Sequence, residues 1–291
     1  MSRIFSLTPN ISVSHLLRTT INQQFHHLDT PRLEAELLLS HAMKVSRTTL
    51  HTYPERKVSR EQYTYFQELV TRRLEGEPMA YLLGEQEFWS LNLKVNHHVL
   101  IPRPETEHTV EMVLELSAMM DNPHIADLGT GSGAIALALA FERPDAIIIG
   151  ADLSQEALNI ARKNAERLSL RNILFKQTNW LQGLEEKRFD IIVSNPPYIA
   201  GNDPHLKETS LPYEPKMALT SGETGLEALT IIINTAKHNL VNGGWLVVEH
   251  GYDQQELVYE LFLKAGYVNL GKRSDIGGND RVFYGQFLVE N

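Results

Sequence analysis

Between a strand-like run at 125–128 and a helix-like run beginning at Ala134 stands the heptapeptide Asp127-Leu128-Gly129-Thr130-Gly131-Ser132-Gly133. Glycine at alternate positions lets a turn enter left-handed conformations and lets a ligand approach the backbone. Such a loop needs a strand to leave and a helix to enter, so it commits the chain to an α/β fold. The remainder follows suit. After a helix expected at 105–119, strand-like runs at 125–128, 146–153, 173–178, 189–194 and 245–250 are mostly separated by helical patterns starting at Ala134, Ser154, Gly225 and Gln254. This alternation predicts a mostly parallel sheet with crossover helices on both faces. The runs at 267–270 and 281–289 have no helix between them, which predicts an antiparallel hairpin at the sheet's end. Ligands of such sheets bind at the carboxyl ends of the strands.

The first part of the chain has a different texture. Leu16, Leu17, Ile21 and Phe25, then Leu33, Leu37, Leu38 and Met43, then Tyr63, Phe66, Leu69, Val70 and Leu74 recur at helical spacing, with Pro31 placed for a helix start. Gly76 and Pro78 break the pattern, and 88–101 turns to short extended stretches around Asn96. The expected organisation is a small helical domain at 1–80, a linker with a short hairpin at 81–104 and the α/β domain at 105–291. No candidate catalytic cluster falls in the helical part, so its expected task is to recognise a protein substrate.

Composition narrows the partners. A net charge of -9 disfavours unaided binding to nucleic acid, which needs Lys and Arg against phosphates. The chain has no cysteine, hence no disulfide or thiolate metal site. Residues 1–10 lack the apolar run of a signal peptide, and no stretch approaches the roughly 20 apolar residues of a membrane span. A cytosolic monomer is expected. His26 with His27, and His97 with His98, lack further ligands at suitable spacing, and adjacent histidines on a strand point apart, so no metal is expected.

The glycines alone do not choose a ligand, because Gly129, Gly131 and Ala134 also satisfy the dinucleotide pattern, with Asp152 where a ribose-binding acid belongs. Charge separates the possibilities. Asp127 precedes the first glycine and no Lys or Arg occurs between Asp127 and Glu142. That arrangement repels a pyrophosphate and suits S-adenosylmethionine, which carries a sulfonium and an ammonium. The plainer possibility is a tight turn whose acids cap helices.

The run 189–194 leads into Asn195-Pro196-Pro197-Tyr198. Two prolines cannot continue a ladder, so the strand stops there and Asn195 stands at the carboxyl edge, on the side of the glycine loop. The Asn195 side-chain oxygen and the Pro196 carbonyl are two acceptors that can hold both hydrogens of a planar NH2 group. An amide nitrogen becomes nucleophilic only as it pyramidalises, and acceptors placed for that geometry favour the transition state over the ground state. Tyr198 offers an aromatic face to the planar group.

At these residues the sequence resembles class I methyltransferases acting on planar nitrogens, and among them the release factor N5-glutamine methyltransferases of the PrmC or HemK family. Three further stretches carry the resemblance: Pro78-Met79-Ala80-Tyr81-Leu82-Leu83-Gly84, Glu87-Phe88-Trp89, and Leu100-Ile101-Pro102-Arg103-Pro104-Glu105-Thr106-Glu107. It covers about residues 76–252. The resemblance implies a Rossmann-like sheet, S-adenosylmethionine as cofactor with S-adenosylhomocysteine as product, and class I release factors as protein substrate. It implies that Gly129, Thr130, Gly131, Ser132 and Gly133 line the methionine part of the cofactor, that Asp152 binds its ribose, and that Trp180 lies against its adenine. Asn195 would touch cofactor and substrate, with Pro196, Pro197 and Tyr198 forming the amide pocket. Asn179 departs from the family's pattern, where an acid commonly precedes Trp180. The same tetrapeptide serves adenine-N6 DNA and guanine-N2 RNA methyltransferases, and a non-catalytic adenosine-binding regulator could keep the fold.

Overall fold

The structure, a computed structural model, describes residues 11–207 and 211–289. Residues 1–10, expected to carry no apolar leader, lie outside them. The chain divides into two compact units, Met1–Gly84 and Glu85–Asn291.

In the first unit the apolar periodicity becomes helices α1 (Val13–Gln23), α2 (Pro31–Met43), α3 (Arg47–Thr52), α4 (Arg60–Leu74) and α5 (Met79–Leu83). Their starts are written locally. Ser12 and Ser46 cap α1 and α3, Ser59 and Gln62 close a capping box on α4, and Pro31 opens α2. Phe25, Leu38, Leu39, Phe66 and Leu69 meet in a core from which water is excluded. Two acids enter it and both are paired. Glu34 on α2 binds Arg73 on α4 at 2.6 Å, and Glu36 binds Arg32 and Arg47, each at 2.8 Å, so these buried charges cross-link the helices.

The second unit opens with an antiparallel hairpin, β1 (Glu85–Phe88) and β2 (Leu91–Lys94), followed after a short 3-10 turn by α6 (Glu107–Ser117). Then come β3 (His124–Leu128), α7 (Ala134–Glu142), β4 (Ile147–Asp152), α8 (Gln155–Leu168), β5 (Ile173–Gln177) and β6 (Phe189–Ser194). The chain finishes with α9 (Lys216–Leu219), α10 (Glu227–Ala236), β7 (Leu240–Glu249), α11 (Gln255–Ala265), β8 (Val268–Ser274) and β9 (Asp280–Gln286). The seven-stranded sheet has the order β5-β4-β3-β6-β7-β9-β8. Strands β3 to β7 run parallel, and β8 and β9 form the antiparallel end. This is the doubly wound sheet with a C-terminal hairpin that the strand and helix alternation implies.

Period-2 side-chain alternation serves two cores. Ile125, Ile191 and Val193 face one layer with Ile135, Leu137 and Val113, while Ala126, Leu128 and Ile192 face another with Leu229, Ile232 and Phe262. Residues 81–104, read from sequence as a linker, are divided between the two units at Gly84. Phe88, Leu91 and Leu93 of the hairpin pack in the same core as α7. The buried Asn164 of α8 fastens the hairpin by accepting from Lys94 N at 2.7 Å and donating to Lys94 O at 3.0 Å and Ser132 O at 2.9 Å. Among the described residues no helix is long and apolar enough to cross a membrane.

Because β3 connects outward to β4 and the chain returns on β3's other side as β6, the order reverses between β3 and β6. There the turns after the two strands part and leave a crevice. Gly133, the residue before α7, has φ +87°, and a Cβ there would lie 2.8 Å from Leu137 Cδ1 and 3.3 Å from Ala161 Cβ. Its place is thus set by packing of the turn on α7 and α8. Replacing Gly133 by Ala combines left-handed strain with overpacking and is expected to cost about 2–4 kcal/mol in urea unfolding without ligand. Unchanged stability would show that the turn tolerates a side chain.

Candidate active site

The glycine loop is held by its neighbour strand. Gly129 N and Thr130 N both donate to Ala151 O, at 2.8 and 2.9 Å, and Gly131 N donates to Asp152 Oδ2 at 2.8 Å. Asp152 also accepts from Ser154 N at 2.8 Å, so the last residue of β4 braces both the loop and the start of α8. Gly129 has φ +75°, and a side chain there would stand 3.5 Å from the Trp180 ring. The loop, Asp152 and Trp180 thereby line one cavity of about 400 Å3, together with Thr178, Asn195 and Pro197. Trp180 is half-buried and packs its other side on the core, so it serves as core residue and cavity wall at once. Asn179, beside it, is exposed and lines the same cavity.

Beneath the loop lies Asp127, only 1 % exposed. Its Oδ2 accepts from Thr130 Oγ1 at 2.6 Å and from Ala136 N at 3.2 Å. Its Oδ1 is buried without a partner among the described residues. Burial pushes the carboxyl up to about 7, against the pull of those hydrogen bonds and with a further push from Asp152. Asp127, Thr130 and the buried Ser132 line a smaller pocket that also reaches Gly129, Gly131 and Asn195. Gly133 lines neither of these two cavities.

The strand β6 stops at Ser194, whose hydroxyl donates to Leu128 O at 2.7 Å and ties the ends of β3 and β6 together. Asn195 follows. Its Nδ2 donates to Thr106 Oγ1 at 3.0 Å, which leaves Oδ1 as the end available to a ligand. Asn195, Pro196, Pro197 and Tyr198 line a third cavity of about 140 Å3 with Leu100 and Arg103. Asn195 therefore borders the large cavity, the pocket beneath the loop and this one. The tetrapeptide is anchored beyond the prolines too: Tyr198 O accepts from Gln254 Nε2 at 2.9 Å, and a Cβ on Gly225 would lie 2.4 Å from that carbonyl. The Tyr198 hydroxyl donates to Glu249 Oε1 at 3.3 Å, and burial, then the neighbouring Glu249 charge, raises the phenol above its ordinary range. Arg103 pairs with Glu214, whose buried carboxylate also accepts from Ile101 N at 3.0 Å.

Thr106, Glu214, Gly225, Glu249 and Gln254 are supports that motif reading passed over. Glu249 ends β7 on the same sheet edge as the glycine loop, so the rule that ligands sit at strand ends could have found it. His97 and His98 lie in a turn with ring centroids 4.0 Å apart, where a strand would have pointed them apart; His98 borders the large cavity. Among the described residues no group of three or more His, Asp or Glu side chains is placed to hold a metal ion.

Comparison with known proteins decides the family. The model of the PrmC N-terminal domain matches residues 17–84, and that of the methyltransferase small domain matches 108–210. A release factor glutamine methyltransferase of Coxiella burnetii is 50% identical over 253 residues, covering 87% of this chain and 91% of that protein. One from Aliivibrio fischeri is 43% identical over 284 residues, covering 97% of this chain and 100% of that protein. The chain belongs to the release factor glutamine methyltransferase family. Among solved structures, the hMettl16 catalytic domain bound to MAT2A 3'UTR hairpin 6 matches with TM-score 0.56 at 17% identity, over 77% of this chain and 83% of that one. The Thermus thermophilus 16S rRNA N2 G1207 methyltransferase, solved with AdoMet and guanosine, matches with TM-score 0.50 at 20% identity, over 69% and 49%. These likenesses concern the fold, which is that of class I methyltransferases.

As in the rest of the family, the cofactor is S-adenosylmethionine. The residues present fit it: the unpartnered Asp127 oxygen lies under the loop, and the large chamber has an acid at one wall and an indole at another. A cation there favours ionised Asp127, so binding should release a proton below about pH 7. The affinity for S-adenosylmethionine is therefore expected to tighten from pH 6 to pH 8, by at most about tenfold per unit for one coupled proton. Calorimetry across that range checks it, and Asp127→Asn should flatten the dependence; affinity falling as pH rises would contradict it.

Proposed function

We propose that this chain transfers the methyl group of S-adenosylmethionine to the side-chain amide nitrogen, N5, of the glutamine in the Gly-Gly-Gln motif of class I peptide chain release factors. The observation that carries this reading is the amide of Asn195, turned with Oδ1 free at the junction of the two chambers. The larger chamber and the pocket beneath the loop suit the cofactor, with Gly129, Thr130, Gly131 and Ser132 about its methionine part, Asp152 toward the ribose and Trp180 toward the adenine. Gly133 shapes the loop from behind. When bound, the cofactor supplies an electrophilic methyl carried on a sulfonium. The smaller chamber holds the target amide. Asn195 Oδ1 and the Pro196 carbonyl accept its two hydrogens, and Pro197 and Tyr198 confine its plane. As the nitrogen lone pair leaves conjugation, the acceptors meet the moving hydrogens better than in the planar amide, which lowers the barrier selectively. The nitrogen gains the methyl as the methyl–sulfur bond breaks, leaving a neutral thioether, and its one surplus proton passes to water.

The helical unit, matched over 17–84 by the PrmC N-terminal domain model, is assigned to recognition of the release factor. Adenine-N6 and guanine-N2 transfer would use the same tetrapeptide. The relatives' name and the net charge of -9 favour a cytosolic protein substrate over nucleic acid.

Mass spectrometry of an intact release factor incubated with enzyme and cofactor should find one methyl on that glutamine. Asn195→Ala is expected to cut turnover by about 100-fold or more, as for a lost transition-state hydrogen bond, with cofactor affinity falling less. A chain lacking residues 1–84 should bind cofactor and fail on the whole factor. Methyl on a nucleic acid alone, or near-normal turnover by Asn195→Ala, would contradict the reading.

A further inference from the structure

S-adenosylmethionine ends in an α-amino acid, so its head carries an ammonium and a carboxylate side by side, and a site that takes the head out of water must answer both charges. The acid for the ammonium is in place: Asp127 lies beneath the glycine loop with Oδ1 buried and without a partner among the described residues. The pocket it lines has a volume of about 50 Å3, room for a small head group and not for adenosine. A carboxylate entering beside Asp127 is repelled unless a cation also stands there. The start of α7 is a poor receptor for it. Asp127 Oδ2 already sits there, accepting from Ala136 N at 3.2 Å, and a second anion would meet the first. Among the described residues Arg103 is the only Arg or Lys that lines this pocket, and the large cavity is lined by none.

Arg103 is anchored through one nitrogen. Its Nη2 donates to Glu214 Oε1, and the fully buried Glu214 side chain accepts on Oε2 from Ile101 N at 3.0 Å. A guanidinium carries five N–H groups in a planar fork, and those on Nε and Nη1 have no hydrogen-bond partner among the described residues. The side chain is 34 % exposed, so these donors are within reach of a ligand.

We propose that Arg103 binds the cofactor, its unused N–H groups donating to the carboxylate of the methionine part in the pocket beneath the glycine loop. Asp127 and Arg103 then answer the two charges of one amino acid head, while the adenosine lies in the large cavity. The planar fork suits the two oxygens of a carboxylate. Glu214 is a positioning residue: it holds the fork before the ligand arrives, so less side-chain freedom is lost on binding. Arg103 also lines the chamber of the tetrapeptide, where a substrate carbonyl could take the same donors. Charge favours the cofactor, since its head brings a full negative charge and a peptide carbonyl only a dipole. The inference does not depend on which nitrogen is methylated.

The test is calorimetry on the full chain with S-adenosylhomocysteine and with its decarboxylated analogue S-adenosyl-3-thiopropylamine, which keeps the adenosine, sulfur and ammonium and lacks only the carboxylate. The parent should bind S-adenosylhomocysteine at least about tenfold more tightly than the analogue. Arg103→Met removes the fork and keeps an apolar stem. It should weaken S-adenosylhomocysteine by about tenfold or more and the analogue by less than about threefold, so that the preference between them falls below about threefold. Arg103→Gln takes its place, with the same expectation, if the Met variant does not fold. A parent that binds both ligands equally overturns the proposal. So does a preference that survives in Arg103→Met: with both affinities unchanged the carboxylate lies on backbone amides, and with both lowered alike the arginine is merely structural. A raised KM for an intact release factor beside that surviving preference would place the arginine in the substrate chamber instead.

Discussion

The hydrogen bond between Asn195 and Thr106 joins residues 89 positions apart, and the site depends on it. It exists because β6 stops at the prolines beside the end of β3, with the Ser194 hydroxyl pinning the two strand ends. The two chambers meet where the sheet order reverses, and Asn195 is among the few residues that line both. Moving that side chain by an ångström would spoil the alignment on which the chemistry relies. The supports around it accordingly come from several elements: Thr106 before α6, Gly225 before α10, Glu249 at the end of β7 and Gln254 before α11.

Much of this was legible in the sequence, for local reasons. Turn chemistry at 129–133 and the prolines at 196 and 197 act on their own neighbours, and strand alternation is a property of short windows. The fold class followed from those windows. Strand limits were less accessible. β7 begins at Leu240 and not at 245, because the Gly243-Gly244 pair is absorbed where the pairing of β6 with β7 shifts between Phe189 and Ile191. β8 runs on to Ser274 as a largely exposed edge strand, so its second half carries no apolar signal. Gly133 looked like its loop companions, and only the closeness of Leu137 and Ala161 separates it from them. Thr106 and Glu249 were harder to read for a different reason: the contacts of Thr106 with Asn195 and of Glu249 with Tyr198 span the chain, and neither residue type announces a role by itself.

Two buried carboxylates, Asp127 and Glu249, sit near the reacting centre with acidities shifted to about 7. Unfolded, each would titrate near 4. The folded chain therefore holds their protons more tightly, and each opposes folding increasingly as pH rises from about 4 to about 7. Such groups are poor choices for stability. Their positions are at the site: Asp127 lies beneath the glycine loop, and Glu249 accepts from the Tyr198 hydroxyl of the tetrapeptide. The first unit shows the opposite pattern. Glu34 and Glu36 are buried against arginines, and Glu36 is held below its usual range despite burial, by Arg32, Arg47 and His51.

In the proposed reaction two fixed acceptors select a planar NH2 group. A glutamine side chain satisfies both acceptors, whereas a glutamate of the same shape has no hydrogens to give and sets a carboxylate against them. The direct measurement is methyl incorporation into an intact release factor and into its Gly-Gly-Glu variant under identical conditions. Methylation of the first and none of the second is expected, with binding of the variant to the enzyme still detectable. Methyl on the glutamate side chain at a comparable rate would contradict it, and the tetrapeptide would then stand as a rigid turn without an amide clamp.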